Sequence, residues 1–268
     1  MIGFNYLGKL GQLGNQMFQY ATVIGVADKT GTSFCIPNHD EVMVDNLGNK
    51  LRIELFDAFN IKPERTGFIV TDRNYQEQDF IFDENIFDVE DEHDVNLVGF
   101  FQTEKYFKHV EDRIRNEFTF KEDIVEDCSD ILEMFDNPIA LHIRRGDYLR
   151  NSGNHHNLTD EYYRNALEEF DDDRQVIIFT DDPEWALSNP LFDSDRFIVS
   201  EGTGPYHDLY LMSNCSDFII ANSTFSWWGA WLANCGKVVA PKTWFGINNS
   251  HKSTKDLYPS HWKVIPYS

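Results

Sequence analysis

The chain has 268 residues, 41% of them hydrophobic, which is enough for a large core and falls between the sizes of one big domain and two modest ones. Its 45 acidic and 23 basic residues give a formal charge of -22, so the surface as a whole repels a long polyanion and excludes nucleic acid as a partner; an anionic ligand has to be small and held locally. Cys35, Cys128, Cys215 and Cys235 are far apart and lack metal-site spacing, which reads as reduced core thiols, and with no apolar leader or membrane-length run a soluble, cytoplasmic protein is expected.

In chain order, Ile2 to Leu7 reads as a strand, Gly8 to Gly14 as a glycine-rich turn, and Asn15 to Lys29 as a helix whose Met17, Phe18, Ala21, Ile24 and Ala27 share a face. Ser33 to Ile36 reads as the next strand. The glycines at 8, 11 and 14 do not match GxGxxG, so a dinucleotide cofactor is not expected. Two readings remain for that turn: a tight loop that brings backbone and Asn15 to a ligand held between two domains, or a plain strand-to-helix connection. The acidic run 83–94 reads as solvated surface. A helix within 120–137 is expected to cross between two halves, 1–130 and 131–268. From residue 138, five short β-branched runs (139–143, 176–180, 197–199, 218–221 and 237–240) alternate with helical stretches at 159–170, 205–213 and 226–234, the pattern of a parallel sheet covered by helices. Four Asn-x-Ser/Thr triplets, at Asn157, Asn214, Asn222 and Asn248, read as chance.

In such a sheet, ligands bind beyond the carboxyl ends of the strands. There the chain places Arg144-Arg145-Gly146-Asp147, then Thr180-Asp181-Asp182, then Asn222-Ser223-Thr224. The last leads into a helix whose amide N–H groups, with the hydroxyls of Ser223, Thr224 and Ser226, suit a phosphate that Arg144 faces. The plainer alternative makes Arg144 and Asp147 a structural ion pair and the hydroxyls ordinary caps. Either segment alone favours that alternative; two strand ends of one sheet together favour the phosphate. Successive side chains on an extended segment point to opposite sides, so Arg145 is expected to pair with Asp147 or a neighbouring carboxylate. Asp171-Asp172-Asp173 and Asp181-Asp182 lie at a helix end and before the Pro183 turn, and no metal is expected there. His155 and His156 read as an incidental surface pair, and at least two of Trp227, Trp228 and Trp231 as core.

The segments GQLGNQMFQYA, HIRRGDY and STFSWWGAWLA, in that order, resemble the three signatures of the α-1,2-fucosyltransferases, glycosyltransferase family 11, across nearly the whole chain. The resemblance implies an α/β fold of two Rossmann-like domains facing across a cleft, GT-B-like, with 1–130 on the acceptor side and 131–268 binding GDP-fucose. It also implies metal-independent, inverting transfer of fucose to the 2-hydroxyl of a galactose-containing glycan, with no cofactor. By the same match Arg144 is the diphosphate-binding arginine, His142 its neighbour two positions back, Ser223, Thr224 and Phe225 the pyrophosphate segment, Asp208 the acidic residue near guanine, and Asn15 with Gly14 the loop reaching the donor. Arg144, Asp147 and Asn15 are the catalytic candidates, pairing being the preferred role of Asp147. Gln12 stands where the family often has arginine. Other linkages, or a non-catalytic glycan- or nucleotide-binding protein of the same fold, are the alternatives; a glycosidase lacks a matched carboxylate pair.

Overall fold

The computed structural model describes residues 1–38, 42–44, 48, 50–89, 93–201 and 204–266. They form two units: Met1–Lys121 with Ser253–Pro259, and Glu122–Lys252 with the stretch from Ser260 onward.

The first unit contains β1 (Ile2–Gly3), α1 (Leu13–Thr30), β2 (Phe34–Cys35), β3 (Met43–Val44), β4 (Lys50–Leu51), α2 (Leu55–Ala58), β5 (Asn74–Gln76), β6 (Val95–Val98) and α3 (Glu111–Glu117). Four strands make a parallel sheet in the order β2-β1-β6-β5, while β3 and β4 pair as a separate hairpin. The first strand is much shorter than the apolar run Ile2 to Leu7 predicts. The chain turns away after Gly3: Leu7 donates its N–H to Phe4 and Lys9 to Tyr6, and Gly8 and Gly11 have φ of 82° and 90°, values that favour glycine. Helix α1 is buried along most of its length and stops at Gly31, whose left-handed conformation lets its N–H reach the Ala27 and Asp28 carbonyls.

The acidic run is not simply solvated. Asp83 caps the short turn Glu84–Phe87 and accepts the Tyr75 hydroxyl, Ile86 is buried, and Asp94 pairs with the chain's amino group at 3.0 Å; residues 90–92 lie outside the described residues.

The second unit contains α4 (Glu122–Leu132), β7 (Ile139–Ile143), α5 (Gly146–Arg150), α6 (Asp160–Leu167), β8 (Val176–Thr180), α7 (Pro183–Ser188), β9 (Phe197–Val199), α8 (Pro205–Ser213), β10 (Asp217–Ile219), α9 (Thr224–Ala233), β11 (Val238–Pro241) and β12 (Lys263–Ile265). Every pair in its sheet is parallel, and the order is β12-β11-β10-β7-β8-β9. The chain therefore builds outward from β7 on one side, then returns to add β10, β11 and β12 on the other. This is the doubly wound order, with its switch point between β7 and β10.

Helix α4 packs on α8 and so belongs with the second unit. Ser253–Pro259 belong with the first because the Asp256 carboxylate accepts the Phe82 N–H at 3.0 Å and the Lys105 ammonium at 2.6 Å. Cys35, Cys128 and Cys215 are buried free thiols, as expected of core cysteines, but Cys235 is exposed just past α9, where Asn234 turns the chain with φ of 53°. Among the described residues no helix is long and apolar enough to cross a membrane.

Trp227, Trp228 and Trp231 are all buried in contact with one another, and Trp262 closes on Trp227 with centroids 5.4 Å apart. Helix α9 lies close against α8 because position 229 is glycine; a Cβ there would sit 2.4 Å from the Met212 sulfur. Trp227→Ala is expected to lower unfolding stability by about 3–5 kcal/mol, read as a drop in the urea midpoint. A loss within experimental error would remove this cluster from the structural core.

Candidate functional site

Beyond the carboxyl ends of β7 and β10, two polar segments emerge side by side. Arg144 follows β7 with its side chain 21% exposed. One arm of its guanidinium lies 2.6 Å from Asp147 Oδ1 and the other 3.1 Å from Asp181 Oδ2, while the Tyr148 ring lies beneath it at 5.4 Å. Asp147 therefore pairs with Arg144, not with Arg145. Arg145 instead donates Nε–H to Asp182 at 3.0 Å, and its guanidinium stacks 4.1 Å from the Trp185 ring centroid. The alternation of an extended segment stops at the strand end: α5 begins at Gly146, which swings Asp147 back beneath Arg144. Gly146 also makes room for Asp181, since a Cβ would stand 2.7 Å from that carboxylate.

His142 sits on β7, buried, with its ring 5.5 Å from that of Phe225. Burial, then the neighbouring Arg144 charge, pushes its pKa down to about 3, and Nδ1 has no hydrogen-bond partner among the described residues. It is a neutral imidazole packed under the site.

At the end of β10, the buried Asn222 amide donates to the carbonyls of His156 and Trp244, 2.8 Å each, so it ties two loops to the strand end. The Tyr148 hydroxyl donates to the Asn222 carbonyl at 3.0 Å. Ser223 caps α9, its hydroxyl accepting the Phe225 N–H at 3.3 Å, and Thr224 and Phe225 are half-buried at the helix opening. Ser226 does not join them. It is fully buried, with its hydroxyl directed to the Ser223 and Ala221 carbonyls, and is unable to meet a phosphate. His155 is no incidental surface group: it is half-buried and stacks on Tyr148 with centroids 4.1 Å apart and planes 14° off parallel. Arg144, Asp147, Tyr148, His155, Asn222 and Ser223 thus form one cluster.

Asp208 belongs to a different strand end. On α8, it accepts the hydroxyl of Ser200, which follows β9, at 2.8 Å, and burial raises its pKa above the ordinary carboxylate value.

In the first unit, Gly14 and Asn15 lie in the first turn of α1, and Asn15 Oδ1 accepts from Gln102 Nε2 at 2.9 Å. Two buried glutamines, absent from the sequence reading, hold the preceding loop. Gln16 Nε2 donates to the carbonyls of Gly11 and Arg52 while its Oε1 accepts the Glu54 N–H, and Gln19 Nε2 donates to Leu10 and Gly99. Their signal was present: a glutamine on a helix flanked by apolar residues at every turn has to spend its amide on backbone.

Two α/β units on parallel sheets, the second with its polar cluster at the switch point, make the architecture of the GT-B-like glycosyltransferases. POFUT1 solved in complex with GDP is similar over 87% of this chain and 94% of that one, with a TM-score of 0.55 at 15% identity. The NodZ alpha-1,6-fucosyltransferase soaked with GDP-fucose is similar over 90% and 94%, with a TM-score of 0.51 at 14% identity; at such identities the likeness is one of fold. The family model of glycosyl transferase family 11 matches residues 2–266, and the chain belongs to that family. An alpha-1,2-colitosyltransferase of Escherichia coli is 37% identical over 185 residues, 64% of this chain and 62% of that protein. The galactoside alpha-(1,2)-fucosyltransferase 1 of Alouatta caraya is 30% identical over 245 residues, 83% of this chain and 63% of that one. This chain thus spans a little over three fifths of these relatives' lengths.

The neutral state of His142 has a measurable consequence. Its folded pKa of about 3 lies below the ordinary imidazole value, so between them the unfolded chain binds a proton that the folded protein does not. Stability is then lost as pH falls below about 6.5, by up to about 1.4 kcal/mol per pH unit. His142→Gln is expected to give a flatter Tm profile from about pH 7 to pH 5 than the natural protein; parallel profiles would show that the fold does not hold the His142 pKa down.

Proposed function

We propose that the protein is an inverting galactoside α-1,2-fucosyltransferase that moves L-fucose from GDP-β-L-fucose to the 2-hydroxyl of a galactose in a glycan. The observation that carries this reading is the convergence of the Arg144 fork and the N-terminus of α9 on neighbouring strand ends at the switch point of the second unit. Family membership and the two-unit fold support it.

Breaking the bond between fucose and GDP gathers negative charge on the leaving diphosphate. Fixed positive groups there lower the barrier more than they tighten ground-state binding. Arg144 supplies a planar fork matched to phosphate oxygens, and Asp147 and Asp181 fix its plane in advance. The Ser223 hydroxyl takes the Phe225 N–H, and the N-terminal end of α9, with Thr224 and Phe225, stands at the opening of the site. The acceptor hydroxyl attacks the anomeric carbon from the face opposite GDP as the bond from that carbon to the diphosphate oxygen breaks, and the hydroxyl proton passes to a base or to water. The inversion converts the β donor into an α product. Asp208 is assigned to guanine, and Gly14 and Asn15 to the donor, through the family match. The first unit takes the acceptor and the second the donor. Transfer needs no metal in this reading, in which Arg144 and the helix end are the fixed positive groups set against the leaving GDP. The protein acts in the cytoplasm, in glycan biosynthesis.

The test is to incubate the pure protein with GDP-fucose and a panel of galactosides, with and without EDTA, and to locate the new linkage by NMR. An α-1,2-fucosylated product formed equally with chelator is expected. A requirement for added Mn²⁺ or Mg²⁺ would overturn the metal-free step, and a product at another hydroxyl would overturn the linkage. The colitosyltransferase relative makes GDP-colitose the second donor to try.

Arg144→Lys keeps the charge and loses the fork, so kcat should fall by roughly a hundredfold or more, on the order of 3 kcal/mol in the transition state. Arg145→Lys is the internal control, because Arg145 is engaged by Asp182 and Trp185 and its loss should act on Tm first. Near-normal kcat in Arg144→Lys would assign the leaving group to another residue.

A further inference from the structure

We propose that His155 is a further donor-binding residue, an imidazole that takes up a proton when the diphosphate enters the crevice beside Arg144. The inference rests on the donor assignment above and goes beyond it, because nothing in the matched segments includes this histidine.

The first argument is one of charge. Arg144 is paired with Asp147 and Asp181, and Arg145 with Asp182, so the cluster holds two cations and three carboxylates. Its formal balance is one negative charge before any ligand arrives. The N-terminus of α9 adds only about half a positive charge. A dianionic diphosphate diester therefore meets a site that is not yet positive, and an added cation there reduces the excess of negative charge. His155 is the group in this cluster whose charge changes near neutral pH.

The second argument is one of placement. His155 lies flat against Tyr148, the residue that carries Arg144 over its ring and bonds to the Asn222 carbonyl at 3.0 Å. The Tyr148 ring thus joins the imidazole to both strand ends that the diphosphate would bridge. The backbone of His155 is held as well: its N–H donates to the Asn151 carbonyl at 3.0 Å, and the residue forms a β-bridge with Phe245. Among the described residues neither ring nitrogen has a hydrogen-bond partner, although the ring itself is half-buried and fixed. A planar, positioned side chain with two uncommitted nitrogens, packed on the same Tyr148 ring as the arginine fork, is suited to an anion.

The surroundings set the direction of the switch. The groups that act on the ring are Arg144, Asp147 and Tyr148, from the end of β7 and from α5; His156 is next in the chain, and Lys252 lies over the ring of the bridging Phe245 at 5.7 Å. Burial lowers the pKa of His155, Asp147 raises it, and Arg144 lowers it again, with a net shift downward. The imidazole is therefore neutral in the empty protein near pH 7. A diphosphate placed against it draws Arg144 away from full engagement with its carboxylates and adds negative charge, both of which favour the imidazolium. The proton comes from solvent and returns to it when GDP leaves.

Calorimetry with GDP-fucose and no acceptor tests this, because that diphosphate diester does not itself titrate in the range used. Titrations are run between about pH 6 and pH 8, in pairs of buffers of different ionisation enthalpy. The natural protein is expected to bind roughly fivefold or more tightly at the lower pH and to take up about half a proton or more per site near the middle of the range. His155→Phe, which keeps a flat ring on Tyr148, should bind more weakly at the lower pH and show neither the proton uptake nor the pH dependence; His155→Asn serves if the phenylalanine variant does not fold. Unchanged proton uptake in a folded variant, or none in the natural protein, overturns the role of His155 and leaves the donor assignment standing. Absence of GDP-fucose binding by the natural protein at every pH overturns both.

Discussion

The chain's central constraint is the placing of a guanidinium at the end of a buried strand. Arg144 leaves β7 largely shielded from water, and a cation so placed has to be met by carboxylates or it destabilises the fold. Asp181 meets it from β8 and Asp147 from α5, which requires the chain to bend immediately and requires glycine at 146. The bend sends Arg145 the other way, onto Asp182 and Trp185. It also lays Tyr148 below the guanidinium, within reach of the end of β10. One charge at one strand end thereby dictates the partners of three carboxylates and the course of the next helix.

Much of the second unit was legible in the sequence because each of its central strands is a β-branched run buried on both faces. The bounds 139–143, 176–180 and 197–199 match the structure, and the polar residues at their ends fall where the switch point needs them. Strand β12 was missed: Lys263-Val264-Ile265 is short, lies at an edge and is mostly exposed, so neither alternation nor a continuous apolar run marks it. The first unit was harder to read for a related reason. Its strands are two to four residues long, too short for any periodicity, and β6 follows directly on the acidic run that read as surface.

Within the site, residue identity was legible and pairing was not. Arg144, Asn222, Ser223 and Thr224 were expected at neighbouring strand ends because that is where ligands bind in a parallel sheet, and the structure brings them together there. Of the two partners expected for Arg145, Asp147 or a neighbouring carboxylate, the structure has the second, Asp182, and gives Asp147 to Arg144 as the plainer alternative had it, because strand alternation stops where the helix begins. Ser226 was placed among the phosphate ligands because it lies near a helix start, but α9 is enclosed around this turn and its hydroxyl serves the backbone. His155 had no sequence signal of its own; its neighbours are Tyr148, seven positions back, and a bridge to Phe245, both supplied by the fold.

The return of Ser253–Pro259 to the first unit bears on how the polypeptide acquires its shape as it is made. Asp256 secures the loop around Phe82 and the Lys105 ammonium, so that part of the first unit lacks a partner until more than a hundred further residues have been translated. During that interval the second sheet has already received β7 to β11. The two units are therefore not beads completed one after the other on the ribosome. The first unit draws on a short segment synthesised after nearly all of the second, and a cut of the gene between residues 121 and 122 would deliver the first unit without that segment.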